Sequence, residues 1–263
     1  MHEYCTIFCG VFLMSISRHT YLIIFCLLAC LSIVMLTNRS EALSVTPLTV
    51  DLSAFGQNNK ATLRVENDGA APIAVEVSPS KLTLAEDGTP TIIPAKGKFL
   101  IFPPQAKIAP GASQSFRVQW LGDPNLKASE SYLLNVNQLA VELDHKVNGI
   151  QLVLNFAVNV NIVPPNAAPI INVIKTDMIK GSSMQNEPVI TLENSGNGNA
   201  LLSAGSVVFT SGAWTKTLTS QEFQALHGIG LIQPGTRRRF KLAVPLPPEV
   251  SRYEVRVDLK RPR

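Results

Sequence analysis

From Ile150 to Ile162 every even-numbered residue is large and apolar: Ile150, Leu152, Leu154, Phe156, Val158, Val160 and Ile162. The odd positions mix Gln151, Asn155, Asn159 and Asn161 with Val153, Ala157 and Val163, and none is charged. A period of two over this length predicts a strand with one wholly apolar face. It is longer than the usual strand of about 5–6 residues. It follows Asn148-Gly149, a pair that predicts a hairpin turn. Read alone, the stretch is a core strand of a β-sandwich. A strand with an uncharged outer face that lay at a sheet edge could instead pair with another chain.

The same alternation recurs along residues 43–163. Residues 44–52 predict one extended first strand with Pro47 near its start, where an edge strand tolerates it. Residues 60–66 alternate before the Asn67-Asp68-Gly69 turn, and residues 73–77 alternate again. Phe99-Leu100-Ile101-Phe102 runs into Pro103-Pro104. Residues 131–143 predict a long strand that meets the 150–162 stretch through the Asn148-Gly149 turn. Turn residues every 8–12 positions, with no helical periodicity, predict an all-β fold of sandwich type.

Pro164-Pro165-Asn166-Ala167-Ala168-Pro169 reads as a semi-rigid linker. Beyond it the grammar repeats. Val189-Ile190-Thr191-Leu192-Glu193-Asn194 parallels residues 61–67, and residues 232–242 parallel residues 108–118. Residues 201–209 predict one apolar strand, residues 224–228 a loop carrying His227, and residues 253–259 a last strand. The expectation is two tandem sandwiches, residues 43–163 and 170–263, joined by residues 164–169.

Composition changes this picture at the N-terminus. Residues 21–36 carry no charge and follow Arg18 and His19; Ser40 and Ala42 then form a small-x-small site. That pattern predicts a cleaved secretory signal over residues 1–42, with Met1 or Met14 as the start. All four cysteines (Cys5, Cys9, Cys26 and Cys30) fall in this leader. The exported part therefore has no disulfide, cysteine metal site or thiol nucleophile. Its roughly 220 residues suffice to build their own core. Arg18 and Arg39 offset Glu3 and Glu41, so it keeps the whole chain's net charge of +4.

Little catalytic chemistry is present. Outside the leader the histidines are His145 and His227, both predicted in loops and neither near a nucleophile elbow. No Cys/His spacing suits a metal, and Gly196-Asn197-Gly198 lacks the rest of a dinucleotide loop, so it reads as a turn. Arg237-Arg238-Arg239 and Lys260-Arg261-Pro262-Arg263 read as a solvated face or a docking patch for an acidic partner. Nucleic acid is not expected at this charge. The chain reads as a non-enzyme without cofactor or metal.

Several motifs occur in a telling order: Leu63-Arg64-Val65-Glu66-Asn67; Phe102-Pro103-Pro104 before Ile108-Ala109-Pro110-Gly111; Phe116-Arg117-Val118; and Glu130-Ser131-Tyr132-Leu133-Leu134-Asn135-Val136. With an export signal, this order resembles the periplasmic chaperones of chaperone–usher pilus assembly, across essentially residues 43–263. The resemblance implies two immunoglobulin-like sandwiches set around a cleft. It implies as partners pilus (fimbrial) subunits lacking a strand, and an outer-membrane usher. The donated residues would be Ile150, Leu152, Leu154 and Phe156, by strand addition between chains. Burying four such side chains gives roughly 6–12 kcal/mol before association costs.

The sequence departs from that family at the anchor for the subunit's C-terminal carboxylate. The resemblance implies an arginine and a lysine there, and Asp51 and Asn159 stand at those positions. Either the anchor is built differently, or it comes from the second sandwich, or the client is another one. Glu130 matches an acidic residue that pairs across the domains, but Val163 stands where its arginine would be. Arg117 matches a family arginine and otherwise reads as a solvated strand residue. Self-capping or a homodimer would hide the free strand. The rival readings are an exported structural or adhesive tandem sandwich and a carbohydrate-binding module; the second suits poorly a chain whose tryptophans are Trp120 and Trp214.

Overall fold

The computed structural model describes residues 43–139, 153–181 and 184–259. The leader with its cysteines, His145, the Asn148-Gly149 turn, and Ile150 and Leu152 lie outside the described residues. The regular elements of the described chain are almost all strands, and they form two tandem immunoglobulin-like sandwiches.

The first sandwich comprises β1 (Leu43–Thr46), β2 (Thr49–Ser53), β3 (Lys60–Asn67), β4 (Ile73–Leu84), β5 (Pro90–Pro94), β6 (Phe99–Phe102), β7 (Gln105–Ile108), β8 (Ser113–Trp120), β9 (Glu130–Leu139) and β10 (Asn155–Val163). One sheet has the order β1-β3-β8-β6. The other has the order β2-β10-β9-β4-β5, with β7 also on β4. Their inner faces enclose Leu63, Val65, Phe116, Leu134, Val136, Val158, Val160 and Ile162. Phe99, Trp120 and Tyr132 close one end, with ring centroids 5.1–5.3 Å apart in tilted or edge-on contacts.

Residues 44–52 are not the single strand expected. β1 pairs antiparallel with β3, and β2 pairs parallel with β10 in the opposite sheet. The chain changes sheets at Pro47, which has no N–H to give to either ladder. The same happens at Pro103-Pro104, between β6 in one sheet and β7 in the other.

The second sandwich comprises β11 (Ile171–Lys180), β12 (Asn186–Asn194), β13 (Ala200–Leu201), β14 (Gly205–Ser211), β15 (Trp214–Leu218), helix α1 (Ser220–His227), β16 (Leu231–Ile232), β17 (Arg237–Lys241) and β18 (Glu254–Leu259). Sheets β11-β12-β17 and β15-β14-β18 enclose Leu192, Val207, Phe209, Phe223 and Phe240.

Two expectations are corrected here. Residues 201–209 form a short strand, a 3-10 turn at Leu202–Ala204, and then β14. β14 starts at Gly205 because β18 passes so close that a Cβ there would lie 2.2 Å from the Asp258 oxygen. His227 ends a helix rather than sitting in a loop. Thr219 accepts from the Glu222 N–H and the Glu222 carboxylate accepts from the Thr219 N–H, a reciprocal capping box. Phe223 is the helix's buried residue, so its apolar face was too narrow to register as a period.

The repeated grammar has a structural counterpart. Asn67 Nδ2 donates to the Ala71 and Ile108 oxygens, and Asn194 Nδ2 donates to the Gly198 and Ile232 oxygens. Both asparagines are buried and tie a strand end to the turn after it and to the start of the next Pro-Gly turn. Gly111 and Gly235 then donate back to the Asn67 and Asn194 carbonyls.

Candidate functional site

The stretch that dominates the sequence becomes β10, and its two ends differ. β10 pairs antiparallel with β9 from Asn155↔Asn137 to Ile162↔Glu130. The contact extends to Leu154, whose oxygen accepts from the Gln138 N–H at 3.1 Å. On the other side β2 covers only Asn159↔Thr49 to Val163↔Ser53. The first bond beyond it is from the Asn159 N–H to the Leu48 oxygen, at 2.9 Å. Among the described residues, β10 is thus an interior strand from Asn159 onward and an edge strand from Asn155 to Val158. The boundary lies where it does because the covering chain arrives from the other sheet at Pro47.

The even-numbered face follows the same division. Val158, Val160 and Ile162 are fully buried in the core. Leu154 and Phe156 continue the row onto the open edge, where they pack against the core but stay half-exposed. The apolar stripe therefore runs past the end of its own paired sheet.

The odd-numbered face meets the second sandwich. Asn161 Nδ2 donates to Asp51 Oδ1 at 2.8 Å, and Asn161 Oδ1 accepts from Asn199 Nδ2 at 2.8 Å. Asn199 Nδ2 also lies 3.0 Å from Ser131 Oγ. Asn197 donates to the Lys127 oxygen and its carbonyl accepts from the Ser129 N–H, so the turn after β12 grips the chain before β9. Gly196 lets the same turn lie against the linker: a Cβ there would sit 2.3 Å from the Ala168 oxygen.

Asp51 and Asn159 lie on one face but not opposite each other. Asp51 faces Asn161, and its carboxylate is met by a neutral amide. Asn159 faces Thr49; it is 6% exposed, and neither its Nδ2 nor its Oδ1 has a partner. An unpartnered buried amide costs about 1–3 kcal/mol. Ser129 Oγ and Asn199 Oδ1, at the same junction, also lack partners.

Glu130 does not reach across the domains. Lys81 donates to its Oε1 at 2.7 Å and Tyr132 to its Oε2 at 2.5 Å, within the first sandwich. Burial alone would raise the Glu130 carboxyl, but these two hydrogen bonds outweigh it and hold the group below its ordinary value. Burial, with Glu130 beside it, pushes the Tyr132 hydroxyl up. Arg117 is exposed on β8, opposite Thr62 and Phe102.

The Arg237-Arg238-Arg239 run is not a uniform solvated face. Arg237 pairs with Glu193, while Arg238 turns inward beside Gly88 of the first sandwich. Gln233 crosses the same gap: Oε1 accepts from the Leu84 N–H at 2.9 Å and Nε2 donates to the Leu82 oxygen at 2.8 Å. Lys81, Ser129, Ser131, Asn199 and Gln233 had no signal in the sequence as contact residues, because each acts through a partner far away in the chain. Among the described residues no three His, Cys, Asp or Glu side chains are placed to hold a metal.

Residues 42–168 match the family model described as pili and flagellar-assembly chaperone, PapD N-terminal domain. No curated protein matches the sequence. Among solved structures, one similar chain belongs to the CsuC–CsuE chaperone–tip adhesion subunit pre-assembly complex from the archaic chaperone–usher Csu pili of Acinetobacter baumannii. It is 13% identical with a TM-score of 0.50, over 78% of this chain and 89% of that one. The YadV chaperone is also 13% identical with a TM-score of 0.50, over 81% of this chain and 90% of that one. At such identities the likeness is one of fold.

Proposed function

Residues 42–168 match the pili and flagellar-assembly chaperone family, and from that premise we propose that the chain holds strand-deficient pilus subunits in the periplasm by donating residues 150–156, until an outer-membrane usher receives them. One observation carries this reading: the apolar stripe of β10 continues onto an edge that β2 leaves unpaired. A client lacking a strand would add its backbone to that edge and extend the same core over Leu154 and Phe156, with Ile150 and Leu152 further along. Backbone hydrogen bonds give such a complex affinity, and the alternate side chains give it register. No nucleotide is needed, because the usher's exchange replaces one strand by another.

The client's C-terminal carboxylate would be anchored by neutral donors. Asn159 offers an unpartnered amide where the family resemblance implies a lysine. A neutral hydrogen bond to a carboxylate is weaker than a charge-assisted one from lysine. In the free protein a second copy would cover the open edge and keep it from indiscriminate pairing.

The test is co-expression with a strand-deficient pilus subunit. Leu152→Asp with Leu154→Asp should abolish co-purification of the complex while the circular dichroism of the chaperone stays unchanged. Undiminished complex from that variant rules the donated strand out.

A further inference from the structure

β2 and the open edge of β10 lie on the same flank of β10, one after the other. The odd-numbered residues of β10 turn their backbone groups to this flank: Asn159 gives its N–H to the Leu48 oxygen at 2.9 Å, and bonding groups alternate along a strand. The next such residues, Ala157 and Asn155, face the stretch that β2 leaves unpaired. A strand added to that edge is therefore collinear with β2 and ends where β2 begins. At that point stands Leu48, whose side chain is 58% exposed.

We propose that Leu48 grips the end of the client strand by apolar contact and so selects clients that carry a large apolar side chain at or next to their C-terminus. This inference rests on the donated-strand reading above and names the feature of the client's end that is recognised. Leu48 lies two residues before Val50 and four before Leu52, whose side chains pack against the core. By the period of two it begins the same row, one step before the Asn159↔Thr49 pair and so at the level of Val158. Leu52 is 1% exposed and Val50 half-buried, so the row opens outward as it reaches Leu48. Leu154 and Phe156, half-exposed on β10, continue the neighbouring row on that face. Leu48 thus closes the far end of the apolar edge that the client covers.

Charge offers no competing grip on these two strands. β2 and β10 carry one charged residue between them, Asp51, an acid whose Oδ1 already accepts from Asn161. An anionic chain end meets no cation on either strand. An apolar side chain beside that end meets Leu48, and covering a side chain of this size is worth about tenfold in affinity. Leu48 is itself outside the core cluster of the first sandwich, so its contribution is to binding rather than to the fold.

The experiment is competitive capture. Parent and variant, carrying different tags, are co-expressed with a limiting amount of a strand-deficient pilus subunit, and the ratio of complexes recovered gives the relative affinity. The subunit is used in two forms, with its natural end and with the large apolar residue nearest its C-terminus changed to serine. Against the natural subunit Leu48→Ser should capture about tenfold less than the parent, and Leu48→Met about as much as the parent. Against the serine-ended subunit the disadvantage of Leu48→Ser should shrink to about twofold or less, because the two side chains share one contact. Leu48 is exposed, so Leu48→Ser should keep the parent's urea midpoint. If Leu48→Ser captures as much as the parent, or loses equally against both subunits, while Leu152→Asp with Leu154→Asp captures none, the grip is overturned and the donated strand stands. If the Leu152→Asp, Leu154→Asp variant captures as the parent does, the donated strand falls and the grip with it.

Discussion

Asn161 and Asp51 face each other across the parallel β2–β10 pair, joined by a 2.8 Å hydrogen bond from Asn161 Nδ2 to Asp51 Oδ1. The same Asn161 accepts from Asn199 of the second sandwich through Oδ1. One neutral side chain thus satisfies a carboxylate in its own sheet and fastens the other sandwich to it. The Asp51 carboxylate already has a donor from within the chain.

Asn161→Ala should therefore act on both sandwiches. It removes the donor to Asp51 and leaves Asn199 without one of its acceptors. The expected loss is about 1–3 kcal/mol in urea denaturation. Asn199→Ala should lose part of the same amount, and the two together less than their sum, because they share one bond.

The two ends of β10 should separate stability from client capture. Ile162→Ala empties a fully buried site and should cost about 2–5 kcal/mol. Phe156→Ala changes a half-exposed position and should cost clearly less. On the proposed function it weakens subunit binding about tenfold to a hundredfold, the worth of one buried apolar side chain. Paired urea melts and subunit-binding titrations read both effects.

Glu130 should give the first sandwich a pH dependence. Its folded carboxyl is held below the ordinary value, so its contribution is full above about pH 4.5 and is lost as the pH falls through the folded value. Glu130→Gln should lower stability by about 0.5–1 kcal/mol at pH 7, because the pair with Lys81 is partly solvated. The gap between variant and parent should narrow as the pH falls below about 4.5 and close once the pH has passed the folded value, in denaturation curves taken across pH.

Gln233 should help set the angle between the sandwiches. Its amide stands in for a strand partner beside Leu82 and Leu84 at the end of β4. Gln233→Ala should cost about 1–3 kcal/mol and widen the interdomain distribution, seen as an increased radius of gyration in small-angle scattering. An unchanged radius would leave orientation to the other junction contacts, the Arg239–Glu86 backbone bond and the Asn197–Asn199 turn among them.

Residue patterns alone determined which face of the long alternating strands carries the apolar row that meets the core. The even-numbered row from Leu154 to Ile162 points to the core as its period requires, and residues 61–67 and 189–194 build matching asparagine-clamped turns because equivalent sequences meet equivalent environments. The all-β class and the two sandwiches follow from that. Periodicity says nothing about which edge of a strand is paired, since edge pairing joins backbones that are distant in the chain. Only the tertiary structure decided that the first strand splits at Pro47, that β2 stops covering β10 at Asn159, and that Glu130 meets Lys81 rather than the second sandwich. It also decided that Arg238, inside an apparently uniform basic run, turns toward Gly88. The open edge of β10 and the unpartnered atoms of Asn159, His227 and Arg238 are fixed by what long-range packing leaves uncovered, which no local pattern of apolar and polar residues encodes.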